Sequence, residues 1–312
     1  MNQPNYPEGW DHRSRAMSNN VDFLRKDATF VPEVRSPTVR RRELGALLRK
    51  LRLEKGLTVE QSAEQLMFSM SKLSRMETGH GAATARDIRD LCDLYEVTDE
   101  AERQRLMILA REGKQQAWWQ PYGLDFETYV GLEADAARLL YYQCTIVPGL
   151  LQTAAYARAM LEVNIPRLAP ARISDLLKVK LTRQQILSRA EPLLLWAVLD
   201  EAALHRAVGG PSVMAEQLDH LIQVAGKYNI KIQVIPYGAG AHPAMDSTFN
   251  ILEFAPPVPK VVYVEGLVGY NYLDRAADID RYQQVFDQLS SLALNPADSV
   301  AMIARVSQDY KK

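Results

Sequence analysis

The chain has 312 residues, of which 47% are hydrophobic, and its formal net charge is −1. That length fits about two domains, no apolar run approaches the roughly 18 residues of a membrane span, and the polar amino end "MNQPNYPEGWDHRSRAMSNN" lacks a signal-peptide centre. Two cysteines, Cys92 and Cys144, cannot build a disulfide framework or a paired-cysteine zinc site, so the expected setting is soluble and cytoplasmic.

The near-zero charge hides an asymmetry. Residues 38–80 carry nine Lys/Arg and five Glu, a balance of +4, whereas residues 81–312 sum to −5. A basic module on an acidic body suggests that the module alone meets a polyanion.

Residues 1–37 show no sustained periodicity and read as a flexible arm. Thr38 is the first plausible helix cap, and Leu44, Leu47, Leu48 and Leu51 then recur at helical spacing up to Gly56. Thr58 caps a second helix with Ala63 and Leu66 inward. Ser69 caps a third with Leu73 and Met76 inward, and Thr84 a fourth with Ile88, Leu91, Cys92 and Tyr95 on one face. "TDEAERQRLMILAREG", from Thr98, has acid at its start and Arg near its end, matching the helix dipole. Five helices in residues 38–113 make a compact all-α domain. "KQQAWWQPYG", residues 114–123, reads as a linker whose Trp118 and Trp119 dock one domain on the other or stack on bases.

If Ala63, Leu66, Phe68, Leu73 and Met76 face inward, Ser69, Met70, Ser71, Lys72, Ser74 and Arg75 face out. Small hydroxyls keep such a helix slim enough for a DNA major groove about 12 Å wide. Its amino end offers N–H groups to phosphate, and Arg75 can pair bidentately with guanine. "GLTVEQSAEQLMFSMSKLSRMETG" resembles the helix-turn-helix of xenobiotic-response-element, lambda-repressor-like regulators. The resemblance implies that Met70, Ser71 and Arg75 approach base edges, while Thr58, Ser69 and Lys72 touch phosphate. The chain departs from the family pattern at Met67 (usually a turn Gly), Ser62 (usually a core Leu) and Val59 (often Gln). Arg40, Arg41 and Arg42, just before the module, can reach neighbouring phosphates.

The body, residues 124–312, changes character. Helices are expected over 124–140, after the turn in "VPGLLQTAAYARAML" (147–161), and over 172–188, 200–207, 213–228, 274–292 and 296–308. Strands are expected at "PLLLWAVLD", "IKIQVIP", "STFNILEF" and "KVVYVEG", with "GYNYL" as a short fifth. The expected fold is therefore a five-helix bundle followed by an α+β domain with a mixed sheet of about four or five strands. "VPGLLQTAAYARAML", "STFNILEF", "VVYVEG" and "DRYQQVFDQLSSLAL" resemble the large domain of WhiJ-like, antitoxin-like transcriptional regulators of actinobacteria. That resemblance implies a regulator whose body receives a signal, with a small companion protein as a possible partner.

The residues themselves argue against catalysis. His12, His80, His205, His220 and His242 form no metal-binding spacing, and no nucleophile elbow occurs. Asp200, Glu201 and His205 read as a helix cap with an ion pair rather than an acid–base site. "YGAGAHP" reads as a mobile loop rather than a pocket lid. Tyr141, Tyr142, Trp196, Tyr263 and Tyr270 can line a pocket or simply fill the core, and "VPGLLQTAAYA" can grip a partner helix. The sequence thus points to a dimeric, double-stranded-DNA-binding regulator, cytoplasmic and on the nucleoid when bound, with no enzymatic activity, cofactor or membrane. The alternative is an antitoxin-like protein that chiefly binds a companion and uses DNA binding for autoregulation.

Overall fold

The structure, a computed structural model, describes residues 36–163, 167–267 and 269–312. The expected amino-terminal arm, apart from Ser36 and Pro37, lies outside the described residues.

Five helices form the first domain: α1 (Pro37–Glu54), α2 (Val59–Gln65), α3 (Met70–Glu77), α4 (Ala85–Leu94) and α5 (Glu100–Glu112). Their starts follow from local chemistry. The Thr58, Ser69 and Thr84 side chains accept the backbone N–H three residues on, and Gln61 and Asp87 return the bond to Thr58 and Thr84 as capping boxes. The first cap is Ser36, with Pro37 at the first helical position, and not Thr38. Thr38 is instead buried against Gly131, where a side-chain Cβ would lie 2.5 Å from its hydroxyl.

Leu44, Leu48, Ala63, Leu73, Met76, Ile88, Leu91, Cys92, Tyr95 and Leu106 make one buried cluster. Gly45 lets α1 meet the end of α3, since a Cβ there would lie 2.5 Å from the Met76 and Glu77 carbonyl oxygens. Arg52 then closes this contact. It donates to both Glu77 oxygens at 2.6 and 2.8 Å and to the Leu57 carbonyl at 2.7 Å. Met67 in the α2–α3 turn takes the left-handed conformation (φ 53°) usually left to glycine, and its side chain is 93% exposed.

The body is a six-stranded mixed sheet in the order β3-β2-β1-β4-β5-β6. The strands are β1 (Arg138–Gln143), β2 (Leu194–Asp200), β3 (Ile230–Ile235), β4 (Phe249–Glu253), β5 (Val261–Glu265) and β6 (Tyr270–Leu273). The β1–β2 and β2–β3 pairs are parallel; the β1–β4, β4–β5 and β5–β6 pairs are antiparallel. Its helices are α6 (Glu127–Asp135), α7 (Ala154–Glu162), α8 (Pro170–Arg183), α9 (Ala202–His205), α10 (Pro211–Ala225), α11 (Ala276–Leu292) and α12 (Pro296–Tyr310). The two parallel connections carry α7 and α8, then α9 and α10, as crossovers between parallel strands require.

One strand was not expected. Residues 124–140 read as one helix, but α6 stops at Asp135, Ala136 is extended (ψ 136°), and β1 begins at Arg138. The run is rich in helix formers, yet β1 pairs on both sides, Leu140 opposite Trp196 on β2 and Ile251 on β4. Tertiary pairing overrides propensity there, and it makes six strands rather than four or five.

Alternation sorts the sheet's faces. Tyr141, Leu195, Ala197, Leu199, Val234 and Tyr263 pack with Met214 and Leu218 of α10 and Ile303 of α12. Trp196 meets Phe286 of α11 edge-on at 5.2 Å, and Phe249 meets Tyr282 at 4.9 Å. "VPGLLQTAAYA" is not a partner-gripping surface: Val147, Leu150, Leu151 and Tyr156 are all in the body's core. Within residues 114–123, Ala117 and Trp119 are buried beside Leu124, Val130 and Val179, while Trp118 and most of the rest of the segment are exposed. No described helix is long and apolar enough to cross a membrane.

Two stability effects are expected. Arg52→Ala leaves Glu77 buried without its partner and should cost about 3–5 kcal/mol, read as a lower midpoint in urea unfolding. Met67→Gly relieves a left-handed side chain and should stabilise the chain by up to about 1 kcal/mol, read as a rise in melting temperature.

Candidate nucleic-acid interface

The α2–turn–α3 unit presents the outer face that the sequence anticipates. Thr58, Ser69, Met70, Ser71, Ser74 and Arg75 are exposed, while Leu73, Met76 and Glu77 are buried beneath them. The inward side chains are therefore what orient the outward ones. Thr58 Oγ1 accepts from Gln61 N at 3.1 Å, and Ser69 Oγ accepts from Lys72 N at 3.2 Å. Capping uses an oxygen lone pair, so each hydroxyl proton remains available to donate to a phosphate. Arg75 makes no ion pair among the described residues, and its guanidinium keeps its full donor set.

Lys72 is placed differently. Its ammonium lies 2.5 Å from Asp87 Oδ1 and 3.7 Å above the centre of the Phe68 ring. It clamps α3 to the start of α4 and would have to leave both partners to reach a phosphate. Burial works against the Asp87 carboxylate, but the bonds from Lys72 and Thr84 outweigh it and hold the group below its ordinary range.

The three arginines that were expected to reach neighbouring phosphates are instead engaged within the protein. Arg40 pairs with Glu43 at 3.3 Å and Glu112 at 2.8 Å. Arg41 donates to the Gly113 carbonyl at 2.8 Å, and Arg42, almost wholly buried, pairs with Asp274 of the body at 3.3 Å. They sit on α1 facing α5 and the body, where partners exist for each. Two other cations were missed. Arg86 and Arg89 lie in the first turns of α4, are exposed, and flank the Asp87 that holds α3. The Thr84–Asp87 capping box was the available signal, since it fixes where α4 begins.

The family departures have local explanations. Ser62 is fully buried, and the Tyr95 phenol lies against it, so a small residue on α2 makes room for a large one after α4. Val59 is half-buried against the domain core and offers no hydrogen bond to phosphate.

In the body, Asp200 Oδ1 caps Ala202 N at 2.8 Å, Glu201 lies 3.3 Å from His205, and Tyr237 N donates to Glu201 at 2.7 Å. These groups serve the β2–α9 corner. The "YGAGAHP" loop is anchored by His242, which is buried, 3.4 Å from Asp200 and edge-on to Tyr142 at 5.8 Å.

This geometry belongs to a helix-turn-helix protein, and the comparisons agree: the family model described as a helix-turn-helix domain matches residues 43–106. A second, described as a domain of unknown function (DUF5753), matches residues 126–305. It spans more than half of the chain, which therefore belongs to the DUF5753 family. No curated protein and no solved structure matches the chain.

The Lys72–Asp87 clamp has a pH signature. A carboxylate held low in the folded state contributes stability above about pH 4, its unfolded value, and loses that contribution as pH falls through the folded value. Asp87→Asn should therefore cost about 1 kcal/mol at pH 6, the pair being partly exposed. Urea unfolding at pH 6 and pH 3 should show that difference shrinking at the lower pH.

Proposed function

We propose that the chain is a sequence-specific DNA-binding transcription regulator in which α3 enters the major groove and the body senses a signal. The observation that carries this is the exposed face of Ser69, Met70, Ser71, Ser74 and Arg75, propped outward by buried Leu73 and Met76. Met70, Ser71 and Arg75 are assigned to base edges, and Thr58 and Ser69 to phosphates. Lys72 holds α3 in place, and Arg86 and Arg89 add charge for neighbouring phosphates.

The sequence resemblance supports the finer assignment to xenobiotic-response-element, WhiJ-like, antitoxin-like regulators acting in the cytoplasm. One short helix reads few base pairs, so the protein is proposed to act as a homodimer on two half-sites about a helical turn apart. The body is proposed to bind rather than to catalyse, since Asp200, Glu201 and His205 are engaged in holding a strand–helix corner. The companion-protein reading lost its suggested surface when "VPGLLQTAAYA" proved to be core.

The test is fluorescence-anisotropy titration of the full chain on DNA from its own promoter across salt concentrations. Binding should be saturable, sequence-selective and weaker as salt rises. Arg75→Ala should cost about 1–3 kcal/mol on the preferred site and much less on unrelated DNA. An equal loss on all sequences would move Arg75 to the phosphates, and salt-independent or absent binding would overturn the proposal. Arg40→Ala should leave the salt slope unchanged.

A further inference from the structure

A cavity of about 500 Å³ opens in the body between α6, α8, β1, β5 and β6. One wall is aromatic: Tyr129, Tyr141, Tyr263 and Tyr270 line it, with Tyr263 and Tyr270 stacked at 5.8 Å. Of the five aromatic residues singled out in the sequence, Tyr141, Tyr263 and Tyr270 reach this space. Tyr142 and Trp196 do not line it; they meet His242 and Phe286 elsewhere.

The opposite wall is one stripe of α8. Arg172, Leu176, Lys180 and Arg183, spaced by three and four residues, all face the cavity. Two of the three cations are already engaged. Arg172 donates to the Tyr122 and Gly123 carbonyls. Arg183 is held by Glu133 in a buried bidentate pair at 2.6 and 2.8 Å. Lys180 has only the Gln152 side-chain oxygen, at 3.4 Å, and no carboxylate within ion-pair distance among the described residues.

We propose that this cavity binds a small organic anion, a single carboxylate or sulfonate on an aromatic body, with the anion on Lys180 Nζ and the rings against the tyrosines. Asp125 and Glu265, both exposed, also line the cavity, and Glu265 attracts Lys180 without reaching ion-pair distance; with Arg172 and Arg183 the lining holds three cations against these two carboxylates. Burial, followed by the charge of Arg183, lowers Lys180 to about 8 against the weaker opposite pull of Glu265 and Glu133. A group depressed in the folded state costs stability at neutral pH, a cost that fades as pH rises between the folded and unfolded values. No carboxylate closes on the Lys180 ammonium, and an anion in the cavity would.

This assigns a ligand class to the sensing role proposed above and rests on that reading. Its assay contains no DNA, so it can fail while operator binding stands. The full chain is titrated with 8-anilinonaphthalene-1-sulfonate and, separately, with N-phenyl-1-naphthylamine, which has the same rings and no charge. Wild type should bind the sulfonate saturably, one per chain, and at least ten-fold more tightly than the amine. Lys180→Met should abolish that preference, leave amine binding in place, and melt no lower than wild type at pH 7. Equal affinity of wild type for the two dyes overturns the proposal without any variant. Absence of saturable binding, or a preference that survives in Lys180→Met, overturns it as well; if Lys180→Met does not fold, Lys180→Gln takes its place.

Discussion

Helix α1 belongs to two cores at once, and that sharing fixes the rest of the molecule. Its first turn is rooted in the body. Ser36 N donates to Asp135, Ser36 Oγ donates to the Gly131 carbonyl at 2.5 Å, and Val39 joins the body's apolar cluster. Leu44 and Leu48 then enter the core of the DNA-binding domain, and Arg52 grips Glu77 at the end of α3. Eighteen residues of helix span about 27 Å, so one rod connects the body to the recognition helix. A stiff rod transmits orientation where a tether would leave the domains free to turn.

Charge alone does not mark which cations are free to meet a polyanion. The first domain is rich in cations, but most of them hold the protein together. Arg40 and Arg41 fasten α1 to α5, Arg42 fastens it to the body, Arg52 fastens α3, and Lys72 fastens α3 to α4. Exposed and without an ion pair among the described residues are Arg49 on α1, Arg75 on α3, Arg89 on α4 and Arg111 on α5, with Lys50 and Arg86 only weakly paired (3.6 and 3.7 Å); of these, Arg75, Arg86 and Arg89 lie on α3 and the helix that follows it. A net count cannot separate these groups, because a buried pair and a free cation weigh the same in it. Paired cations make poor phosphate ligands, since an existing partner must first be given up.

The first domain was readable because its information is local. Thr58, Ser69 and Thr84 each cap the helix they precede, and Ala63, Leu73 and Met76 recur at helical spacing and are buried. The body was readable where a strand alternates or is apolar throughout, as in β2 and β3. It failed at β1, whose "RLLYYQ" is buried from Leu139 onward and has no wet face to make a period. The Arg40–Arg42 assignment failed for a related reason: Glu112, Gly113 and Asp274 lie 72 to 232 residues away from their partners. Lys180 could not be distinguished from its neighbours on α8, because what marks it is the partner it lacks.

The cavity and the DNA-binding face meet mechanically at α6. Glu133 on that helix holds Arg183 at the cavity wall; Gly131 and Asp135, two residues to either side, hold the first turn of α1. An anion on Lys180 would sit beside Arg183 and compete with Glu133 for its charge. The Arg183–Glu133 pair is deeply buried, so breaking it is costly. Gly131 admits no slack, because even a methyl group there would strike Thr38 and Trp119. The root of α1 is thus in direct contact with α6, and Arg52 ties α1 to the end of α3. A ligand can bias DNA binding by this route only to the extent that it prefers one position of α6 over another. The direct ionic contact from Arg183 to α6 is where such a preference would arise.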